Sequence, residues 1–233
     1  MKNFIVISKP VIGEEKGVIK YLSYLVSTGH SNHIDKTRIV PIHNSIRKFI
    51  NNNIFQIIER KLKRKKARLG GRDITSFAQS FVLSLPPDIK VDDETWRDIA
   101  MDIFSDLADF IGVSKSILAK NCFINLHDQD NQHLNIVISK VVDGDVCRDL
   151  QRKSVISFIK ASFNSAVLKH AHVDYKNYKP KTSRAKRYNS YYFKDNEGVI
   201  NALHSSYSEK IDNIECDNNK LKVPIKKWKR KFV

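Results

Sequence analysis

Apolar residues recur along this chain with two spacings, two and three-to-four, and the switches between them mark out the elements. A short apolar run at residues 4–7, Phe4-Ile5-Val6-Ile7, reads as a strand, with Pro10 and Gly13 as punctuation behind it. Glu14 and Glu15 then open a helix whose stripe is Val18, Ile19, Leu22, Leu25 and Val26, with Tyr21 and Tyr24 between and Gly29 at its end. Residues 37–41 read as a strand. Ser45 starts a helix carrying Ile46, Phe49, Ile50, Ile54, Ile57, Ile58 and Leu62. Residues 76–85 read as a strand stopped by Pro86-Pro87. Acidic side chains at 92–94 open a further helix, where Trp96, Ile99, Ala100, Ile103, Phe104, Leu107 and Phe110 form a stripe to cover a sheet face, until Gly112.

The most informative pattern is CFINLHDQDNQHLNIVISKV, residues 122–141. Two alternating runs flank a polar reversal, which is a β-hairpin signature. Successive strand side chains point to opposite faces, so Leu134, Ile136 and Ile138 form a buried row while His133 and Asn135 share the other side. The same parity puts Asn125 and His127 opposite Ile124 and Leu126. The hairpin thus sets two polar edges side by side, with Asp128 and Asp130 near the turn. Gly144 marks a turn, and a last long helix is expected over residues 150–172, carrying Val155, Ile156, Phe158, Ile159, Phe163, Val167 and Leu168. An amphipathic piece follows near 199–211.

Composition changes the picture in one respect. Among 233 residues, 41 Lys and Arg face 25 Asp and Glu, a formal net charge of +16, which favours polyanionic partners. Much of the charge is concentrated in Arg60, Lys61, Lys63, Arg64, Lys65, Lys66, Arg68 and Arg72, placed to contact phosphates. Residues 174–198 mix Arg184, Lys186 and Arg187 with tyrosines, a pattern that suits backbone tracking and base stacking on single strands. The domain reading is therefore a globular unit over residues 1–173 and a basic, Tyr-rich, partly helical extension over 174–233. No apolar run of membrane-spanning length occurs, the N-terminus lacks a signal-peptide pattern, and three scattered cysteines form no metal or disulfide spacing. A cytoplasmic location is expected. There is no Walker-type phosphate loop.

Three segments, in order, resemble the N-terminal catalytic domain of plasmid-mobilisation relaxases, members of the HUH single-strand endonuclease superfamily. GVIKYLSYL resembles the motif that carries the nucleophilic tyrosine, pointing to Tyr21 and secondly Tyr24. FVLSLP with the acid-opened helix behind it resembles the second motif, placing Ser84 near DNA. HDQDNQHLNIVISKV resembles the metal motif HxDTDNxHxHIAIN, with His133 on the first residue of the final histidine pair. Two departures stand out: Asn135 occupies the place of the second histidine, and His127 falls one residue late.

The resemblance implies an α/β (α+β) fold with an antiparallel central sheet flanked by helices. It also implies DNA as partner, single-stranded or locally melted, with accessory DNA-binding proteins and no membrane. The implied cofactor is a divalent metal, Mn²⁺ or Mg²⁺, at His127, His133 and Asn135. The implied chemistry is site- and strand-specific nicking: Tyr21 attacks a phosphodiester with Asp130 or the metal assisting the phenol, or water replaces it and the cut is hydrolytic. Other classes fit the same residues: an inactive relative that binds an origin or hairpin, or a basic RNA-binding or membrane-surface protein.

Overall fold

The structure is a computed structural model, and it describes residues 4–70 and 73–179. The elements are β1 (Ile5–Ile12), α1 (Glu14–Val26), β2 (Arg38–His43), α2 (Ile46–Lys66), β3 (Ser76–Ser84), α3 (Asp93–Ile111), α4 (Lys115–Lys120), β4 (Cys122–Asp128) and β5 (His133–Ser139). They are followed by the short pair β6 (Val141–Val142) and β7 (Asp145–Val146), a 3₁₀ turn (Arg148–Gln151) and α5 (Lys153–Ala171).

Five strands form one antiparallel sheet in the order β1-β3-β5-β4-β2. Both edge strands carry a proline, Pro10 in β1 and Pro41 in β2. An edge tolerates a residue without an N–H, and proline there blunts strand-to-strand aggregation. Pro10 therefore does not end β1, as the sequence pattern suggested. The strand runs on to Ile12, with a register shift at its last residues.

One sheet face is a closed apolar core. Phe81, Leu83, Leu126, Leu134, Ile136 and Ile138 are buried there against Trp96, Ile99, Ile103 and Leu107 of α3 and Val155, Ile159, Phe163 and Val167 of α5. The inward periodicity of α3 is fixed at both ends: Asp92 accepts a hydrogen bond from Thr95 N at 2.8 Å, and Gly112 takes the left-handed conformation that closes the helix. Trp96 is completely buried, and its indole N–H donates to Gln132 Oε1.

The opposite face is covered by α1, which packs on β1 and β3, and by α2, which packs on β3 and β4. Their cover is incomplete and partly polar. Asn53 of α2 donates to Phe77 O and Ser139 Oγ beneath the helix. This α1/α2 face is the side on which strand parity puts Ser80, Val82 and Ser84 of β3, Asn125 and His127 of β4, and His133 and Asn135 of β5.

Two differences from the sequence pattern are local. The six-residue α4, capped by Ser114, was not foreseen, because one buried leucine, Leu118, is too little for a period to show. The helix expected from residue 150 begins with a 3₁₀ turn, and α5 itself starts at Lys153. Beyond α5, Tyr175 and Tyr178 lie edge-on or tilted to Phe4, and the Tyr178 hydroxyl donates to Asp88. The piece expected near 199–211 lies outside the described residues.

Candidate functional site

The hairpin gives the site its register. His127 stands directly across from His133, Asn125 from Asn135, and on the other side of β5 Ser84 pairs with His133 and Val82 with Asn135. The end of α1 comes down onto this row. Leu25 O accepts from Asn125 Nδ2 at 2.6 Å and from His127 Nε2 at 2.8 Å. The last-turn carbonyls of a helix have no intrahelical partner, so these side chains satisfy one of them.

The loop after α1 brings two more imidazoles, His30 and His33, only 3% and 2% exposed. His33 Nδ1 donates to Ser27 O at 2.7 Å. The rings form a chain: His33 to His127 is 4.7 Å between centroids, His127 to His133 is 5.0 Å, and His30 to His33 is 5.6 Å. Tyr24 packs its ring on both loop histidines, at 4.8 and 4.7 Å. His133 Nδ1 donates to Asn131 O at 3.0 Å.

Burial is the leading cause that lowers the pKa of His33, His127 and His133, His127 to about 3. All three are neutral at physiological pH, the protonation state of a metal ligand. Their chemistry therefore fits a divalent cation, although the rings as they stand do not enclose one. Among the described residues no group of three or more His, Cys, Asp or Glu is placed to hold a metal ion. Asn135, expected as a ligand, is 2% exposed, and its Nδ2 is buried without a hydrogen-bond partner, as is Asn125 Oδ1 across from it.

Tyr21 lies one helical turn before Tyr24. Its hydroxyl shares a short hydrogen bond with Ser80 Oγ. Both residues line a cleft of about 380 Å³ whose other walls are Ile7, Lys9, Pro10, Val11, Ile12, Gly17 and Val82. Gly17 is required in this wall: a Cβ there would meet Ile12 O at 1.9 Å. Ser80 is four positions from Ser84 on β3, about 13 Å at 3.3 Å per residue. Tyr21 therefore meets the sheet well away from His133, whereas Tyr24 touches the imidazole chain itself.

The remaining candidates are distributed as follows. Ser84 Oγ accepts from Asn131 Nδ2 at 2.8 Å, beside His133. Asp130 is exposed at the hairpin tip, where its backbone carbonyl and that of Gln129 accept from Lys90 Nζ. On α2, Arg60 is held by Gly144 O at 2.6 Å and by Asp145, Lys61 sits over the Phe77 ring, and Lys63 pairs with Glu59. Arg64 donates to Gly70 O, while Lys65, Lys66 and Arg68 are exposed. Arg72, Arg184, Lys186 and Arg187 lie outside the described residues.

The sheet order, the helix pairs on its two faces and a histidine-bearing hairpin at its centre define a relaxase-like fold. Two solved structures similar to it are of the MobM relaxase domain (MOBV; Mob_Pre) bound to plasmid pMV158 oriT DNA, both Mn-bound. The structure at pH 6.8 has a TM-score of 0.52 at 14% sequence identity, covering 81% of this chain and 95% of that one. The structure at pH 4.6 has a TM-score of 0.50 at 12% identity, covering 80% and 96%. No protein-family model matches the chain. No curated protein sequence matches it.

Sequence reasoning did not single out His30 and His33. The only local signal is two histidines three apart in a polar loop; it is the pairing of β2 with β4 that carries this loop to the hairpin.

Proposed function

We propose that this protein is a relaxase-like endonuclease that nicks one strand of DNA at the α1/α2 face of its sheet. The observation that carries the reading is the direct cross-strand pairing of His127 and His133, on the face that also displays the Tyr21–Ser80 cleft, in a fold shared with a DNA-bound relaxase domain. Bound at these imidazoles, a divalent cation would withdraw charge from the scissile phosphate.

The chain's own residues supply the rest. A tyrosine hydroxyl attacks phosphorus, Tyr21 being the phenol held by Ser80 in the cleft and Tyr24 the one beside the imidazoles; the phenol gives its proton to solvent, the new O–P bond forms as the P–O3′ bond breaks, and the leaving 3′ oxygen takes up a proton. A phenol with a pKa near 10 is a weak nucleophile at neutral pH, so its hydrogen-bond partner matters. That partner is Ser80; Asp130 is at the exposed hairpin tip. Ser84 and the exposed lysines of α2 hold the strand by its backbone. Tyr24 is the second candidate phenol, favoured by its ring contact with His30 and His33.

A second reading, a DNA-binding relative that does not cut, is favoured by the lack of three assembled ligands among the described residues. One assay separates them. Supercoiled plasmid DNA is incubated with the protein and Mn²⁺, then run on a denaturing gel. Open circles with protein on the 5′ end are expected from wild type, and no adduct from Tyr21→Phe. An adduct that survives in Tyr21→Phe and disappears in Tyr24→Phe reassigns the nucleophile. Tight binding with no open circles establishes the non-cutting reading.

A further inference from the structure

Cross-strand register sorts the α1/α2 face of the sheet into rows, because residues paired across neighbouring strands point to the same side. One row is Ile5, Ser84, His133 and His127. The next is Ile7, Val82, Asn135 and Asn125, and a third starts with Lys9 and Ser80. Rows are about 6.6 Å apart at 3.3 Å per residue. The second and third supply a wall of the Tyr21 cleft, which therefore opens beside the histidine row, toward the β1 edge.

The chemistry of this cleft is divided. Single aliphatic residues on a surface are ordinary, but here several line one concavity. Ile12 is 71% exposed, Ile7 is 46% exposed and Val82 is half-buried. Ile12 reaches the cleft through the register shift at the end of β1, which pairs it with Ser76 and so turns it to the face of Ser80. At the inner wall are two buried hydroxyls, Tyr21 and Ser80, bonded to each other. Lys9 is exposed at the rim.

Aliphatic walls give a phosphate nothing to bind, and a charge pressed against them is desolvated without a partner. A paired base is excluded as well, its faces stacked and its edge engaged. The shape suits an uncharged flat ring with apolar faces and a polar edge, carried by a polyanion that a net charge of +16 attracts. At about 380 Å³ the volume takes one such ring rather than a stack.

We infer that the cleft holds one unstacked nucleobase of the bound strand, its faces against Ile7, Ile12 and Val82 and its polar edge against the Ser80 and Tyr21 hydroxyls. Lys9 takes the adjoining phosphate. This rests on the reading of the site above and specifies where its sequence preference is made, a nucleotide or two from the histidine row. Covering the aliphatic walls supplies affinity. The hydroxyl pair supplies choice, because a base that leaves it without a partner is bound less well.

The test reads binding in EDTA, apart from cleavage. The full chain selects from a pool of random-sequence single-stranded DNA, and the enriched oligonucleotide is the probe. Wild type enriches a motif with one position at which an abasic spacer weakens binding about tenfold or more. Ile7→Trp, which fills the cleft from its exposed rim, binds the probe about tenfold more weakly and is indifferent to the spacer. Ser80→Ala keeps affinity within a few-fold and loses base preference at that position alone. Wild type also gives a readout free of mutation: the methyl resonances of Ile7, Ile12 and Val82 shift on binding the probe, while those of the exposed Leu168 on α5 stay in place. The inference is overturned if no position is enriched, if no single spacer matters, if those methyls do not move, or if folded Ile7→Trp discriminates as wild type does. A base held in the cleft by a protein that never nicks refutes the proposed function and leaves this inference standing; nicking whose sequence preference survives Ile7→Trp does the opposite.

Discussion

The two faces of the β4–β5 hairpin are built from alternate residues of the same two strands, yet they are opposite in kind. On one side Ile124, Leu126, Leu134 and Ile136 are at most 1% exposed and packed against α3 and α5. On the other, Asn125, His127 and Asn135 are equally hidden, at 1–2% exposure, but Asn125 Oδ1 and Asn135 Nδ2 are left without hydrogen-bond partners. Burying an unpaired polar group costs about 1–3 kcal/mol, so a chain under selection for stability alone would not keep two on one face. The comparison separates a face that holds the molecule together from a face that tolerates destabilising groups because of what they do.

Mutations break the comparison in order of effect. Trp96→Ala, at the centre of the apolar face, empties a fully buried site and is expected to cost about 3–5 kcal/mol in chemical denaturation. A loss under about 1 kcal/mol shows that α3 does not carry the core. His133→Ala, on the polar face, is expected to lower nicking at least about 100-fold, equivalent to about 2.7 kcal/mol, while DNA binding stays within a few-fold. A variant that still nicks at the wild-type rate removes the imidazole from the mechanism.

Lys140 tests the margin between the faces. It follows β5 and is 3% exposed, and burial lowers its pKa to about 8. A lysine with a depressed folded pKa takes its proton less readily folded than unfolded. Stability is therefore reduced at and below pH 8 and recovers as pH rises from about 8 towards the ordinary value of 10.5. Lys140→Met is expected to stabilise the protein by about 1–3 kcal/mol at pH 7 and to lose that advantage near pH 10.5. An advantage that is the same at both pH values shows that charge burial is not its source. The smallest effect is at the exposed Lys65 of α2. Lys65→Ala should reduce the log–log salt slope of DNA binding by about 0.9 if the side chain neutralises one phosphate. An unchanged slope takes that residue off the DNA.

The apolar face was legible in the sequence because its signal is periodic. The stripe of α3 from Trp96 to Leu107 and the alternation of Leu134, Ile136 and Ile138 are repeated apolar choices, and the structure buries each of them. The polar edge of the hairpin was legible too, since parity alone sets His127 beside His133. What escaped was everything that depends on two distant segments meeting. His33 reaches the hairpin because α1 ends over β4, and Tyr21 is paired with Ser80 across 59 residues of sequence. Neither contact leaves a spacing to be found. The aim of an individual ring nitrogen is set by a backbone carbonyl, such as Leu25 O, that no side-chain pattern records.

The central claim is that the histidine face of the sheet cuts one DNA strand at a defined place. Its most direct test is to map strand breaks at single-nucleotide resolution in cells producing the wild-type chain or His133→Ala, across the host genome and any mobile element present. The account predicts breaks in wild type that recur at one position and on one strand, and that vanish in the variant. Breaks equally abundant in both, or none above background in wild type, contradict it.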